Sequence, residues 1–250
     1  MLYVATVVFS LVFSLYLLFR SELVQKLAVR LAADYLSEEL HTEIRIKGFN
    51  LSWSNGLVIE EIRILDKQGE VLFSARELGV RPGMIRFSKR KININRIFIE
   101  NGVVQLLTHK GDSALNLKFI IDYFASTDTT PAVTDTTPGK PWDITFSAVT
   151  LRNTRFHFQD QNEQLVPVGM DYANIDVSGI NLELTDIDFD ADTIHANLRH
   201  LAARERSGFR VDDLSGEFQV SPSFLKAQNL KIVTPHSDLA LSFQFLYENW

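Results

Sequence analysis

Four groups of residues in this 250-residue sequence have side chains suited to chemistry. The first is the six histidines: His41, His109, His157, His195, His200 and His236. None stands at a metal-ligand spacing from another; His195 and His200 are five apart. They read as scattered surface residues. Ser223 and Lys226 form the S-x-x-K spacing of a serine nucleophile and its base. The companion motifs of that enzyme class are missing, so the spacing reads as chance. "DIDFDAD" carries Asp186, Asp188, Asp190 and Asp192 and begins like a calcium loop. Ala191 stands where that loop needs glycine and Asn197 where its closing glutamate belongs, so the acids read as the wet face of a strand. "RFSKRK" (Arg86 to Lys91) suits anionic headgroups and reads first as a solvated hairpin turn. There is no glycine-rich phosphate cradle and no paired carboxylate site. The reading is of a protein without catalytic residues, metal or cofactor.

The elements that would position a functional surface are clearer. Composition is that of a folded protein, 46% hydrophobic and 22% charged. The net charge of −6 gives no sign of a nucleic-acid partner. The absence of cysteine excludes disulfides and thiolate sites. Leu2 to Phe19 run uncharged for about 27 Å of helix, close to a bilayer's hydrocarbon thickness. With no basic leader and no small-x-small cleavage site, this stretch reads as an uncleaved membrane anchor rather than a signal peptide. Arg20, Lys26 and Arg30 follow it, and taken literally they keep the C-terminal side cytoplasmic.

Next comes "SELVQKLAVRLAADYLSEEL", an amphipathic helix with Leu23, Leu27, Leu31 and Tyr35 at four-residue steps and Val24, Ala28 and Leu36 beside them. It is expected to continue the anchor as a stalk, or to cover a sheet edge. From Thr42 onward short alternating stretches are broken by Gly, Asn, Asp or Pro, without a βαβ rhythm, which favours an antiparallel sheet. "LNLKFIIDYF" (Leu115 to Phe124) is the exception, a short helix or a strand running into one. Residues 126–141, "STDTTPAVTDTTPGKP", carry too little apolar surface to pack and read as a flexible linker.

The strands share an anomaly. In "IFIENGVVQL" the apolar positions are Ile97 and Ile99, then Val104 and Leu106, on the opposite parity. The same slip separates Ile44 and Ile46 from Phe49 and Leu51, Val149 and Leu151 from Phe156 and Phe158, and Ile175 and Val177 from Ile180 and Leu182. Each gap holds Gly or Asn, residues that tolerate positive φ. A β-bulge restores the apolar face after such a slip and bends the strand; a corner between successive strands leaves the same signature. Repeated bulges curl a sheet. Its apolar inside is either a filled sandwich or barrel, or an open trough for an apolar guest.

In order, the helix ending "ADYLSEELHTEIRIKGFNLSW", then "VIEEIRILDKQGEVLFSARELGV" and "KININRIFIENGVVQLL", resemble the start of TamB-type proteins of the AsmA-like superfamily. "LNLKFIIDYF", the Thr-rich break and "WDITFSAVTLRNTRFHF" resemble the versions found in Bacteroidota. The resemblance implies an inner-membrane anchor, a periplasmic body, and a U-shaped β-groove that carries phospholipid acyl chains between the two membranes of a Gram-negative envelope. It also implies an outer-membrane partner in β-barrel assembly. Family members run to many hundreds of residues, so the chain, ending on the strand-like "LALSFQFLYENW", is expected to be a truncated or incomplete N-terminal module.

The expectation is therefore a mainly β protein: a curled antiparallel sheet forming an open apolar groove (a β-taco) behind an N-terminal transmembrane and stalk helix, incomplete at the C-terminus. Its parts are an anchor (1–20), an amphipathic stalk (21–41), the first part of the groove (42–125), a linker (126–141) and the second part (142–250). The groove lining would be Ile44, Ile46, Phe49, Leu51, Ile97, Ile99, Val104, Leu106, Val149, Leu151, Phe156 and Phe158. The partners would be membrane phospholipids, the inner membrane through residues 2–19, and an outer-membrane assembly protein.

Overall fold

The computed structural model describes residues 22–52, 56–86, 91–126, 143–190 and 192–247. The expected anchor, and all but the first residue of the expected linker, lie outside these. Among the described residues no helix is long and apolar enough to cross a membrane.

Helix α1 (Glu22–Leu40) leads into β1 (Ile44–Ser52), β2 (Gly56–Leu65), β3 (Val71–Arg86), β4 (Lys91–Glu100) and β5 (Val103–Thr108). After α2 (Lys118–Ser126) come β6 (Asp143–Phe146), β7 (Val149–Asp160), β8 (Asn174–Asp190), β9 (Thr193–Glu205), β10 (Arg210–Val211), β11 (Asp213–Val220), β12 (Phe224–Thr234) and β13 (Ser237–Leu246). The protein is mainly β, and its strands form one large curled sheet in the order β1-β2-β3-β4-β7-β8-β9-β11-β12-β13.

The sheet is mixed, where the alternation suggested an antiparallel one. β4 runs parallel to β6 and β7, and β5 parallel to β7. Parallel neighbours need a long crossover. The stretch between β5 and β6, α2 included, supplies it by returning the chain to the end from which β4 started. Pairing across this joint keeps one offset throughout: Lys91 with Asp143, Ile97 with Val149 and Val103 with Arg155. The described strands β1–β5 and β6–β13 are thus two parts of a single sheet.

Among the described side chains of α1 the buried ones are Val29 and Ala33, one helical turn apart, whereas Leu27, Leu31 and Tyr35 are exposed. Packing through small side chains lets the helix backbone approach β1. Ser37 Oγ accepts from the Ile44 amide at 3.0 Å, and Thr42 Oγ1 donates to the Leu65 carbonyl at 2.7 Å. The end of α1 is thereby sewn to the sheet at β1 and β2.

The bends are local and identifiable. Glu61 (φ 47°) on β2, Asn101 (49°) between β4 and β5, Asn153 (48°) on β7 and Gly179 (62°) on β8 adopt left-handed backbone. Register shifts flank Asn153 and Gly179. At Gly48 the expectation of a bulge is corrected: β1 keeps its register on both sides, and the left-handed residue is Glu61 on the neighbouring strand. Further left-handed residues occur at Asp186 on β8 and Asn229 on β12, again beside register shifts.

Candidate functional site

Residues directly opposite in a ladder share a face. The register therefore draws apolar rows across the sheet. One runs Phe49–Ile59–Leu78–Ile99–Leu151–Leu182–Leu201, through seven strands. The next runs Val80–Ile97–Val149–Leu184–Leu198. Beyond the bends lie Ile44–Ile64–Phe73–Val104–Phe156–Val177 and the shorter row Leu106–Phe158–Ile175. Ile46 stands opposite Ile62, which faces Ala75.

The rows on either side of the bend belong to one face. A Cβ on Gly102 would lie 2.6 Å from Ile99 Cγ2 and 3.2 Å from Thr154 Cγ2, so Gly102 and Thr154 sit under Ile99 on the same side. The bend itself is lined by small buried residues: Ala75, Gly102 and Thr154. Such residues let the sheet fold sharply toward its apolar face.

Every expected lining residue lies on these rows or, for Leu51, in the backbone register opposite Leu57. Of the expected lining residues whose side chains are described, Ile44 is buried at 6% exposure and the rest are half-buried; Ile62 and Leu198 on the same rows are buried. Among the described residues the most deeply buried large apolar side chains are Leu72, Leu107, Leu230, Leu198 and Ile44, at 2–6% exposure.

The rows also contain residues that the sequence reading passed over: Ile59, Ile62, Ile64, Leu78 and Leu201. The signal for β2 was present, since Ile59 and Ile62 are separated by an odd gap. It was missed because Glu60 and Glu61, not Gly or Asn, fill that gap.

Asparagine holds the central bend. Asn153 Nδ2 donates to Asn101 Oδ1 at 2.6 Å across the parallel joint, and the Asn153 amide donates to Asn181 Oδ1 at 3.1 Å. Asn tolerates left-handed backbone better than other non-glycine residues. Asn153→Ala loses both the conformation and the side-chain bond and is expected to cost about 1–2 kcal/mol, whereas Asn153→Gly recovers most of the backbone part. Urea midpoints of the two variants check this.

A second construction stands at the end of the sheet near α2. His109, expected on the surface, is buried at 6% exposure. Its Nε2 lies 2.7 Å from Asp66 Oδ2, which also accepts from Asn116 Nδ2 at 3.0 Å. Asp66 Oδ1 accepts from the amides of Gln68 and Glu70, both at 2.9 Å. Asn116 Oδ1 takes the Leu107 amide at 3.0 Å. Burial pushes the Asp66 carboxyl up, but hydrogen bonds from Asn116, His109, Glu70 and Gln68 outweigh it, so its pKa falls below the ordinary value. Lys67 stands 4.7 Å from the Phe119 ring centroid and donates to the Leu40 and His41 carbonyls at the end of α1. A shallow cavity of about 360 Å³ beside this network is lined by Asp66, His109, Ser113, Asn116 and Phe119 among others. The network ties α1, the β2–β3 turn, the end of β5 and the start of α2 together.

The remaining chemical groups are placed apart. Asp186, Asp188, Asp190 and Asp192 are exposed, and no metal-binding group of His, Cys, Asp or Glu occurs among the described residues. Arg86 pairs with Lys91 in the β3–β4 ladder; residues 87–90 between them lie outside the described residues. His200 Nδ1 lies 2.6 Å from Asp213 Oδ1 on a neighbouring strand, away from His195. Compared with known proteins, the chain matches no family model, and no curated protein matches it significantly.

Proposed function

We propose that this chain is a membrane-anchored groove protein of the TamB type. Its curled sheet holds phospholipid acyl chains and supports lipid transfer between the inner and outer membranes of a Gram-negative envelope. The observation that carries the reading is the set of apolar rows, continuous across seven strands on one face and half-buried rather than enclosed. A lipid tail laid across them removes methylenes from water at about 0.8 kcal/mol each. Aligned rows of Ile, Leu, Val and Phe, without a deep pocket, give the smooth lining that passage of a tail requires. In this reading the lining residues supply apolar contact, and no residue performs chemistry. Residues 2–19 supply the anchor, and the body lies in the periplasm.

The test is photocrosslinking in cells, with benzophenone side chains at Ile99 and Phe156 and outward-facing controls at Glu100 and Arg152, which pair with each other beside Ile99 and Leu151. Lipid adducts are expected from the first pair and not from the second. A folded, membrane-bound protein giving no lipid adducts at Ile99 or Phe156 would transfer preference to a tethered sandwich.

One observation favours a second reading, an interaction module for outer-membrane protein assembly. β13 carries a single charged residue, Asp238, and neither lysine nor proline, while Leu239, Leu241 and Phe245 are 40–61% exposed. Strands of this kind accept a partner strand by β-augmentation. Protein adducts from a benzophenone at Gln244, with none to lipid at Ile99, would support it.

A further inference from the structure

The face opposite the apolar rows carries an electrostatic anomaly. Arg45 on β1 stands directly opposite Arg63 on β2, and Arg63 directly opposite Ser74 on β3. Like charges facing each other in a ladder are destabilising. The conflict is not dispersed nearby: Lys47, two residues beyond Arg45, and Arg76, two beyond Ser74, add further cations. Together with Ser74, Asn101 and the apolar Ile46, Ile62 and Ala75 these four line a cleft of about 440 Å³ whose single carboxylate is Glu61. The lining thus holds four cations and one anion in a protein of net charge −6.

Local ion pairs leave one cation over. Arg45 pairs with Glu43, Lys47 with Glu61, and Arg76 with Glu100 and, more loosely, Glu77. These pairs are largely exposed, so each contributes little. Arg63 has no carboxylate partner among the described residues. The Asn101 carboxamide accepts from Asn153 through Oδ1, and among the described residues its Nδ2 donates to no protein group.

We propose that this cleft binds a phosphate group. Donors arrive from three strands: guanidinium groups from β1, β2 and β3, with the Ser74 hydroxyl and the Asn101 amide beside them. A tetrahedral oxyanion can take hydrogen bonds from several directions at once, whereas a carboxylate is planar and is satisfied by one guanidinium fork. The bound anion would also relieve the Arg45–Arg63 repulsion. The phosphate is either a free ion or the headgroup of an anionic phospholipid. The proposal stands independently of the apolar rows.

The test uses the full chain in detergent, titrated calorimetrically with inorganic phosphate and, separately, with glycerophosphoglycerol, a water-soluble phospholipid headgroup, at constant ionic strength. Saturable binding of at least one is expected. It should weaken at least tenfold in Arg63→Gln and in Arg45→Gln, and stay within twofold of wild type in Arg96→Gln, a cation of the same sheet outside the cleft. Tighter binding of the phosphate ion assigns a free anion; tighter binding of the diester assigns a headgroup. Thermal melts without ligand should place Arg63→Gln no lower than wild type, because the substitution removes a like-charge contact. No saturation by either probe below about 10 mM overturns the proposal, as does undiminished binding in folded Arg63→Gln or Arg45→Gln.

Discussion

Replacing Asp66 with alanine is expected to remove about 3–5 kcal/mol of stability, the range found when one partner of a buried charged network is deleted. The Asp66 side chain is fully enclosed and accepts from four donors. Its loss strands the Gln68 and Glu70 amides in the turn, and the His109 ring and Asn116 carboxamide beneath α2. Each stranded donor costs about 1–3 kcal/mol, partly recovered where water can enter the neighbouring cavity. Urea unfolding of the variant checks the magnitude. The same carboxylate gives a pH signature whose sign follows from its depressed folded pKa. The contribution is complete above the ordinary value of 3.8 and is lost as pH falls below it through the folded value. Wild type should therefore lose stability below about pH 4 more steeply than Asp66→Ala; parallel acid limbs for the two proteins would show that Asp66 is not the linked group.

The second large effect is expected at Gly56, where β2 begins. Its φ is +74°, and a Cβ there would lie 2.3 Å from the Val80 carbonyl oxygen and 2.9 Å from Arg81 Cα. Both are backbone atoms of the paired strand β3, which cannot rotate aside as a side chain could. Gly56→Ala must strain φ and also displace β3 where Leu57 pairs with Val80. A cost of about 3 kcal/mol is expected from the two together. Gly69, in the turn between β2 and β3, has a similar φ of +86° and nothing within 4 Å of a Cβ. Gly69→Ala should therefore show the backbone part alone, about 1 kcal/mol. Thermal midpoints of the pair separate conformation from collision.

How much of this was legible depended on whether its cause was local. The bends at Asn101, Asn153 and Gly179 could be read because parity slip and residue type point the same way. Glu61 bends β2 with no residue-type signal, so the odd gap between Ile59 and Ile62 was its one trace and was passed over. The parallel joint was invisible, since alternation looks the same in parallel and antiparallel strands; direction is set by the crossover. His109 could not be recognised as buried, because its partner Asp66 is 43 residues away. Among the described side chains of α1, the smaller Val29 and Ala33 pack against the sheet where Leu27 and Leu31 were expected to. The facing of Arg45 and Arg63 was equally hidden, since it exists only once β1 and β2 are in register.

The constant pairing offset across the parallel joint bears on how the chain assembles. Most pairings in either part join neighbours in sequence, so their contacts form after short searches. Between the two parts every paired residue is separated by 52 positions, as Ile97 is from Val149. Closing a loop of that length instead of a four-residue turn costs about 2 kcal/mol more in chain entropy. The joint is thus the natural last step of folding, with two preformed halves zipping together along β4–β5 and β6–β7. Until it closes, each half presents only part of a row, and the apolar face is continuous only with the final pairing.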